Sequence, residues 1–227
     1  MRNRLEMVKK QIQKAADASQ RPMTSIRLVA VSKTMSADVV KEAIEAGVTD
    51  LGENYIQEAK DKVNTLATYP VTWHFIGHLQ SNKAKYAVRL FDIIHSVDSL
   101  KLAKELDKYA GKNGKIQTIL IQVNVAKEDS KSGVYIEDTL RLVRDVSRLE
   151  NLSVKGLMTM PPFFNAPAKV RPYFAALRNL RDQIQKQAIP NISMEELSMG
   201  MTGDFEAAIE EGATMVRIGT AIFGERH

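Results

Sequence analysis

The sequence predicts an α/β protein whose fold is a single-domain (β/α)8 barrel of the TIM type, with one extra helix before the first strand. Short apolar, β-branched runs alternate with segments of helical periodicity eight times along the 227 residues. That length suits one barrel and no linker-like stretch interrupts it, so residues 1–227 are expected to form one domain. A doubly wound open sheet is the alternative, because short strands are easily miscounted.

The first half of the chain contains the extra helix and four strand–helix units. Residues 1–20 are predicted to be a helix packed on the barrel, because apolar residues recur there at helical spacing opposite a basic face. The strands of this half are short apolar runs, at residues 26–32, 50–52, 71–76 and 93–97. The helices that follow carry apolar stripes, at residues 37–46, from residue 56, at residues 82–90 and at residues 98–110. Gly47 and Gly111 follow two of these helices, where C-cap glycines occur.

The second half contains four more strands and the helices between them. The strands are predicted at residues 116–125, 152–158, 194–197 and 215–218. The run 116–125 is long and β-branched, so it is expected to be buried on both faces. Helices are predicted at residues 136–149, around Pro172, which suits the first turn of a helix, and at residues 205–210.

Composition and charge exclude several classes of protein. The chain has no cysteine, which excludes disulfides and thiolate chemistry and fits a reducing compartment. Its N-terminus has no signal-peptide pattern and no apolar run nears membrane-spanning length, so we expect a cytoplasmic protein with no membrane partner. The net charge of +5 raises nucleic acid as a partner, but no aromatic residues interleave with the N-terminal basic residues to stack bases. We therefore expect no nucleic-acid partner.

Two histidines near the third strand raise the question of a metal site. His74 and His78 have no third ligand nearby, and strand geometry does not point both side chains at one ion. They are interpreted as structural histidines, and no metal site is predicted. Neither a Ser-His-Asp order nor a paired-carboxylate cleft is legible, so no catalytic residue is assigned.

Lys33 is a lone cation in an apolar, β-branched stretch, at the point where the first strand should end. A lysine that leaves a strand into the mouth of a barrel is partly desolvated, which favours the neutral amine. The neutral amine is the nucleophile that condenses with an aldehyde to form a Schiff base. The alternative is a solvated residue that opens an ordinary loop, and the local sequence leaves both interpretations open.

Two loops rich in small and hydroxyl-bearing residues follow the last two strands, where barrels of this kind often bind phosphate. Their candidate residues are Ser198, Gly200, Thr202, Gly219 and Thr220. Small residues let backbone amides approach an anion, and the hydroxyls and a helix N-terminus add to the attraction. One such loop is usually a capped turn, but two predict a phosphate site. Asp204 opposes this, because its carboxylate could cap the helix and would repel a close anion.

Asn54 and Met158 lie where ligand-facing loops should follow strands two and six. The spacing of Asn54 and Gln57 is that of an N-cap arrangement, and the alternative is that Asn54 donates a hydrogen bond to a ligand oxygen. For Met158, core packing is favoured over a specific contact. The residues alone thus predict a barrel with a candidate Schiff-base lysine and a phosphate cradle across its mouth.

Seven ordered motifs run from the first strand to the C-terminus. They are residues 30–34 (AVSKT), 52–55 (GENY), 74–83 (HFIGHLQSNK), 130–133 (SKSG), 156–160 (GLMTM), 197–201 (LSMGM) and 216–220 (VRIGT). Together they resemble the pyridoxal phosphate homeostasis proteins, the YggS/PROSC family. The resemblance implies a single-domain barrel similar to the N-terminal domain of alanine racemase, with pyridoxal 5'-phosphate (PLP) as its cofactor.

The resemblance also implies which residues bind PLP. They are Lys33, Asn54, Met158, Ser198, Gly200, Thr202, Arg217, Gly219 and Thr220. By this resemblance Lys33 carries the aldimine, Arg217 approaches the pyridine nitrogen, and Asn54 and Met158 border the ring. The other five hold the phosphate or lie near it, and Thr202 stands where the family often has serine. A protonated arginine keeps the ring nitrogen unprotonated and weakens the ring as an electron sink, whereas the alternative for Arg217 is a salt bridge on the barrel rim.

The function implied is PLP homeostasis without robust turnover. The protein would buffer a reactive aldehyde and deliver it to apo forms of PLP enzymes. One alternative is a PLP-dependent amino-acid racemase or decarboxylase, and another is a Schiff-base aldolase without PLP. A two-base racemase needs a proton donor from an additional β domain, for which a chain ending just after the eighth strand is expected to have no room. Without that domain's dimer-building surface, a monomer is expected.

Overall fold

Eight parallel strands follow one another around a closed barrel in the computed structural model, which describes residues 1–162 and 169–224. The strands are β1 Arg27–Val31, β2 Asp50–Glu53, β3 Thr72–Phe75, β4 Ile93–Val97, β5 Gln117–Gln122, β6 Leu152–Met158, β7 Ile192–Ser198 and β8 Met215–Ile218. Ala30 of β1 pairs with Leu51 of β2 on one side and with Ile218 of β8 on the other. The predicted fold class is confirmed, and the open-sheet alternative is wrong because β1 and β8 close the ring.

Helices surround this barrel. In the described ranges they are α1 Arg2–Ala18, α2 Ala37–Glu45, α3 Ile56–Thr65, α4 Ala84–Leu90, α5 Leu100–Lys112, α6 Ile136–Val146, α7 Arg171–Gln185, α8 Phe205–Glu210 and α9 Thr220–Phe223. Short 3-10 turns lie at Met23–Ser25 and Ser81–Lys83. No helix in the described part of the chain is both long and apolar enough to cross a membrane.

The extra N-terminal helix is confirmed as α1, and it packs against α8 and α9. Its apolar stripe, which includes Leu5, Val8 and Ile12, is buried, as the helical spacing predicts. Arg4 Nε donates to the carbonyl oxygen of Ile222, 2.8 Å away, and so ties the start of α1 to α9. The helix thus covers the side of the barrel where the chain's first and last strands meet.

Several element boundaries differ from the predicted ones for local reasons. β5 ends at Gln122 because Asn124 turns its side-chain amide to loop carbonyls, including that of Glu128 at 2.8 Å. α5 begins at Leu100, since the Ser99 hydroxyl accepts from the Leu102 N–H at 3.4 Å. The prediction that Gly111 ends this helix is wrong, because α5 continues to Lys112. Gly47 does follow α2, with φ +105°, as a C-cap glycine should.

The barrel interior combines an apolar cluster with a line of polar side chains. The apolar cluster consists of Val29, Ile93, Leu120, Met158 and Met215. Beside it are buried polar and charged side chains from four strands, His74, His95, Ser198 and Arg217. Branched apolar residues ordinarily fill such a core. These buried polar side chains therefore indicate the part of the barrel that contains a functional site.

Candidate functional site

A cavity of about 270 Å³ opens at the carboxyl ends of the strands, the face where barrels of this type bind ligands. Its lining comes from the ends of several strands and the loops that follow them. The lining residues are Val31, Lys33, Asn54, Ile76, Met160, Met201, Thr202, Gly203, Asp204, Arg217, Gly219 and Thr220. Six of the nine sequence-predicted residues are among them, namely Lys33, Asn54, Thr202, Arg217, Gly219 and Thr220.

The other three predicted residues lie beside this cavity but do not line it. Met158 is fully buried in the apolar cluster of the barrel interior, which agrees with core packing, and Met160 lines the cavity instead. Gly200 has φ +92°, and a Cβ there would lie 2.6 Å from the Cβ of Ala208, so its lack of a side chain serves the packing of α8. Ser198 turns its hydroxyl into the barrel interior, where it is fully buried.

Lys33 lies two residues beyond the end of β1, partly buried at the cavity wall. The backbone is held on both sides of it. Lys62 Nζ of α3 donates to the Ser32 carbonyl oxygen at 2.7 Å, and the Thr34 N–H donates to Glu58 Oε2 at 2.8 Å. Thr34 has φ +68°, a conformation that costs energy for a β-branched residue and that this contact helps to hold. These contacts direct the lysine side chain from a fixed backbone.

A buried ion pair supports this segment and was not found from the sequence. Glu53 Oε1 lies 2.7 Å from Lys62 Nζ and accepts from the Ser32 hydroxyl at 2.5 Å. Burial raises the pKa of Glu53, and the hydrogen bonds from Lys62 and Ser32 offset this only in part. Glu53 Oε2 is buried and has no hydrogen-bond partner among the described residues. The sequence signal for this pair was Glu53, a charged residue in a short apolar strand. It was missed because the predicted strand ended at residue 52, which left Glu53 in the following loop.

Arg217 of β8 is buried in the barrel interior and faces the cavity from below. Its Nη1 donates to Ser198 Oγ at 2.5 Å and its Nη2 to the Thr159 carbonyl oxygen at 2.8 Å. Burial lowers the pKa of Arg217 to about 10, against the opposing effect of the Asp204 charge, so it stays protonated at neutral pH. No ion pair in residues 1–162 or 169–224 includes Arg217, and the rim salt-bridge interpretation is therefore wrong.

A chain of buried hydrogen bonds leads from Arg217 to the opposite end of the barrel. Ser198 Oγ lies 2.8 Å from His95 Nδ1, and His95 Nε2 lies 2.9 Å from His74 Nδ1. His74 Nε2 lies 3.0 Å from Oδ1 of Asp50, the first residue of β2. The structural interpretation of His74 is confirmed, and His78 is exposed on the following loop. The described residues contain no cluster of His, Cys, Asp or Glu that could hold a metal ion.

The loops after β7 and β8 meet at one side of the cavity. The Thr220 hydroxyl donates to the Thr202 hydroxyl at 3.4 Å, which brings the two predicted phosphate loops together. Asp204 does not cap α8 with its side chain. Instead its Oδ1 accepts from the Met201 N–H at 2.6 Å, within the loop. Burial raises the pKa of Asp204, while the Met201 N–H and Arg217 act in the opposite direction.

Asn54 borders the cavity between β2 and α3. The N-cap interpretation of Asn54 is wrong, because Tyr55 occupies the N-cap position and no side-chain hydrogen bond caps α3. Asn54 Oδ1 is buried and has no hydrogen-bond partner within the described residues. A Cβ on Gly77 would lie 2.2 Å from the Asn54 carbonyl oxygen, so only glycine allows the β3 loop to pack on this backbone. Asn54 therefore carries a buried acceptor for which residues 1–162 and 169–224 supply no donor.

The chain is similar to a known family and to proteins of known structure. The family described as "Alanine racemase, N-terminal domain" matches residues 4–227. A protein of Aquifex aeolicus named pyridoxal phosphate homeostasis protein is 46% identical over 223 residues, which cover 98% of this chain and 97% of that protein. A protein of the same name from Pseudomonas aeruginosa is 45% identical, with 95% of this chain and 91% of that one covered.

The chain also resembles solved structures. PipY of Synechococcus elongatus with PLP bound has a TM-score of 0.82 and 39% sequence identity, and the match covers 94% of this chain and all of that one. An alanine racemase of Clostridium difficile has a TM-score of 0.73 at 15% identity and covers 99% of this chain but 57% of its own. This second likeness shows the fold alone.

Proposed function

This chain belongs to the family of pyridoxal phosphate homeostasis proteins, and on that premise we propose that it binds PLP in the mouth cavity and acts in PLP homeostasis. It holds the cofactor reversibly and delivers it to apo forms of PLP enzymes, without robust catalytic turnover. The observation that carries the proposal is the convergence of Lys33, Arg217 and the Thr202 and Thr220 hydroxyls on one cavity. PLP presents an aldehyde, a ring nitrogen and a phosphate, and each has a chemically matched group here.

The unpartnered oxygen of Asn54 supports the fit. A buried acceptor without a donor costs free energy, roughly 1–3 kcal/mol, unless a ligand supplies the hydrogen. The ring of PLP carries a hydroxyl group that could do so. Among the described residues Asn54 and Lys33 line the same cavity, so one ligand contacts both residues.

Lys33 supplies the covalent attachment. In its neutral form the Nζ atom adds to the aldehyde carbon of PLP, and a carbon–nitrogen double bond replaces the aldehyde oxygen, which leaves as water. Hydrolysis reverses the reaction, so the bond stores the cofactor without consuming it. The contacts of Lys62 and Glu58 to the backbone on either side of Lys33 hold the amine at the cavity wall.

The loops after β7 and β8 hold the phosphate in this proposal. The Thr202 and Thr220 hydroxyls lie together, and Gly203 and Gly219 leave the backbone accessible between them. Ser198 and Gly200 support these loops and Arg217 from beneath. Asp204 lines the same side, and its negative charge weakens the hold on a phosphate dianion. A cofactor that has to be passed on is better held loosely than tightly.

Arg217 favours holding the cofactor over turnover. When bound, PLP supplies an electron sink that is strongest with a protonated ring nitrogen, and a cationic arginine facing that nitrogen opposes its protonation. Two-base racemisation also needs a second proton donor on the opposite face. In the described part of the chain the titratable side chains that line the cavity are Lys33, Asp204 and Arg217. These groups suit storage.

Borohydride trapping tests the proposal. Purified protein with PLP is expected to absorb visible light, and reduction should fix one pyridoxyl group on Lys33, located by peptide mass. Lys33→Ala should lose the label. Lys83→Ala, which removes a lysine from an adjacent cavity, should keep it. A label on another lysine, or none, contradicts the assignment.

Two activity measurements test the storage role. The loaded protein is expected to restore activity to an apo PLP enzyme in a coupled assay, and failure to do so would count against delivery. Incubation with each common amino acid should give no fast racemisation or decarboxylation. Fast turnover of any of them would overturn the non-enzymatic function.

A further inference from the structure

We propose that Asp50, His74 and His95 are positioning residues for Arg217, joined to it through Ser198 in one hydrogen-bond chain of fixed direction. In this chain each histidine is neutral and carries its proton on Nε2. The inference deepens the proposed function and rests on it for the contact between Arg217 and the cofactor. The direction of the chain does not depend on any ligand.

The two ends of the chain set its direction. Arginine only donates hydrogen bonds, and an ionised aspartate only accepts them. Burial favours the protonated form of Asp50, but the hydrogen bonds from His74 and Thr49, together with the charge of Arg27, lower the pKa of this carboxyl. Arg217 therefore donates at one end, and Asp50 accepts at the other, across four links of 2.5 to 3.0 Å.

Each link between the ends follows from the one before it. Arg217 Nη1–H donates to Ser198 Oγ, so the Ser198 hydroxyl hydrogen is directed to His95 Nδ1. A neutral His95 that accepts at Nδ1 carries its proton on Nε2 and donates it to His74 Nδ1. His74 then donates from Nε2 to Asp50. Every polar hydrogen along this path has an acceptor.

If the hydrogen bonds at His74 and His95 ran in the opposite direction, the buried polar groups of the chain would be less well paired. If His95 donated from Nδ1, Ser198 Oγ would accept twice and its own hydrogen would need another acceptor, which no hydrogen bond in the described residues supplies. His74 would then donate at both nitrogens and be a buried cation. Burial also lowers the pKa of His95 well below its ordinary value, and the charge of Arg217 acts in the same direction. A neutral His95 does not repel the guanidinium.

The chain explains how a guanidinium is held among apolar residues although no carboxylate in the described residues forms an ion pair with it. Ser198 Oγ and the Thr159 carbonyl oxygen fix the two terminal nitrogens of Arg217, and polarisation along the chain extends the attraction to Asp50. Asp50 lies at the far end of the barrel, 3.7 Å from Arg27. Ser198 is thereby committed to its neighbours, and its hydroxyl does not donate to the cofactor phosphate.

The tautomers are measurable in protein free of PLP. Long-range proton–nitrogen NMR spectra distinguish Nε2–H, Nδ1–H and doubly protonated rings, and His74→Gln and His95→Gln assign the signals of two of the four histidines in the chain. Both rings are expected to be neutral with the proton on Nε2 at neutral pH. A proton on Nδ1 of His95, or a doubly protonated His74, would overturn the proposal.

Binding of PLP tests the positioning role. His95→Leu breaks both links and should weaken PLP binding about tenfold, which corresponds to the loss of about one hydrogen bond. His95→Asn places an oxygen near the position of Nδ1, where it accepts from Ser198 but does not reach His74, and should recover part of the affinity that His95→Leu loses. Equal losses in the two variants, or none, would contradict positioning through hydrogen bonds. His78→Leu, at an exposed histidine of the mouth, should bind as the unaltered protein does.

A second variant covers a failure of His95→Leu to fold. Ser198→Ala removes one atom and interrupts the same chain, so it should also weaken PLP binding about tenfold. Unchanged affinity in a folded Ser198→Ala variant would contradict the proposal. If the unaltered protein bound no PLP at all, the proposed function would fail, whereas the tautomers would still decide the direction of the chain.

Discussion

Lys62 Nζ lies 2.7 Å from the carbonyl oxygen of Ser32, the residue immediately before Lys33. The same nitrogen lies 2.7 Å from Glu53 Oε1, and the two side chains are 6% and 0% exposed. A buried cation and a buried carboxylate depend on each other, because neither has water to replace its partner. This contact joins β1, β2 and α3 at the base of the site lysine.

Lys62→Met should destabilise the protein strongly. It leaves Glu53 buried without its cation, a loss of about 3–5 kcal/mol in the free energy of unfolding. Urea denaturation measures this. Lys60→Met, on the exposed face of the same helix, should change stability by less than about 0.5 kcal/mol. Equal losses of stability in the two variants would contradict the importance of the ion pair. A double variant with Lys62→Met and Glu53→Leu should recover most of the stability that Lys62→Met loses.

The pH dependence of stability should reveal Glu53. Because burial raises its pKa in the folded state, the folded protein binds more protons than the unfolded chain between the ordinary glutamate pKa and the raised one. This contribution to stability is complete below the ordinary pKa and is lost as the pH rises through the raised value. Glu53→Gln should remove that decline, as followed by urea denaturation at a series of pH values. An unaltered pH profile would show that the pKa of Glu53 is not raised.

Asn54→Ala should separate stability from binding. Removing the unpartnered Oδ1 relieves a buried, unsatisfied acceptor, so the protein without PLP should gain up to about 1 kcal/mol in the free energy of unfolding. PLP binding should weaken at the same time. Asn124→Ala is the control, because the Asn124 amide is bonded to the Glu128 carbonyl oxygen and N–H, and its loss should destabilise. Thermal unfolding with and without PLP measures both effects, and destabilisation by Asn54→Ala would mean that Oδ1 has a partner.

Gly200→Ala should cost more than backbone strain alone. Gly200 and Gly114 both have positive φ, at +92° and +62°, so alanine at either is strained by about 1–2 kcal/mol. At Gly200 the added Cβ would also lie 2.6 Å from Ala208 Cβ, whereas at Gly114 nothing lies within 4 Å. Urea denaturation should therefore show a larger loss for Gly200→Ala. Equal losses would mean that α8 moves freely to admit the methyl group.

Much of the fold follows from local pattern. The eight strands were predicted from short β-type segments that alternate with helical ones, and β4, β6 and β8 have the predicted bounds. The predicted boundaries were wrong where a single side chain determines the end of an element, as Ser99 does at the start of α5 and Asn124 does after β5. Those hydrogen bonds depend on which backbone groups come within reach, and periodicity carries no information about that.

The residues of the candidate site were also predicted only in part. Lys33, Arg217, Thr202 and Thr220 were predicted as a group, and the structure brings them to one cavity. Ser198 and Met158 belong to the same motifs but are fully buried in the barrel interior and do not line the cavity, because a motif does not specify how deeply each of its residues is buried. The partners Lys62 and Glu53 are nine residues apart and carry no motif of their own.

The sequence by itself determined the order of the elements, the eight strand–helix units and the lysine at the end of the first strand, since periodicity and residue type are local properties. The tertiary structure alone decided which polar groups share a barrel interior. Asp50, His74, His95, Ser198 and Arg217 come from five different strands. Barrel closure brings side-chain atoms of distant strands to within about 3 Å of one another. They form hydrogen bonds because the interior is shielded from water, and there each buried donor requires an acceptor.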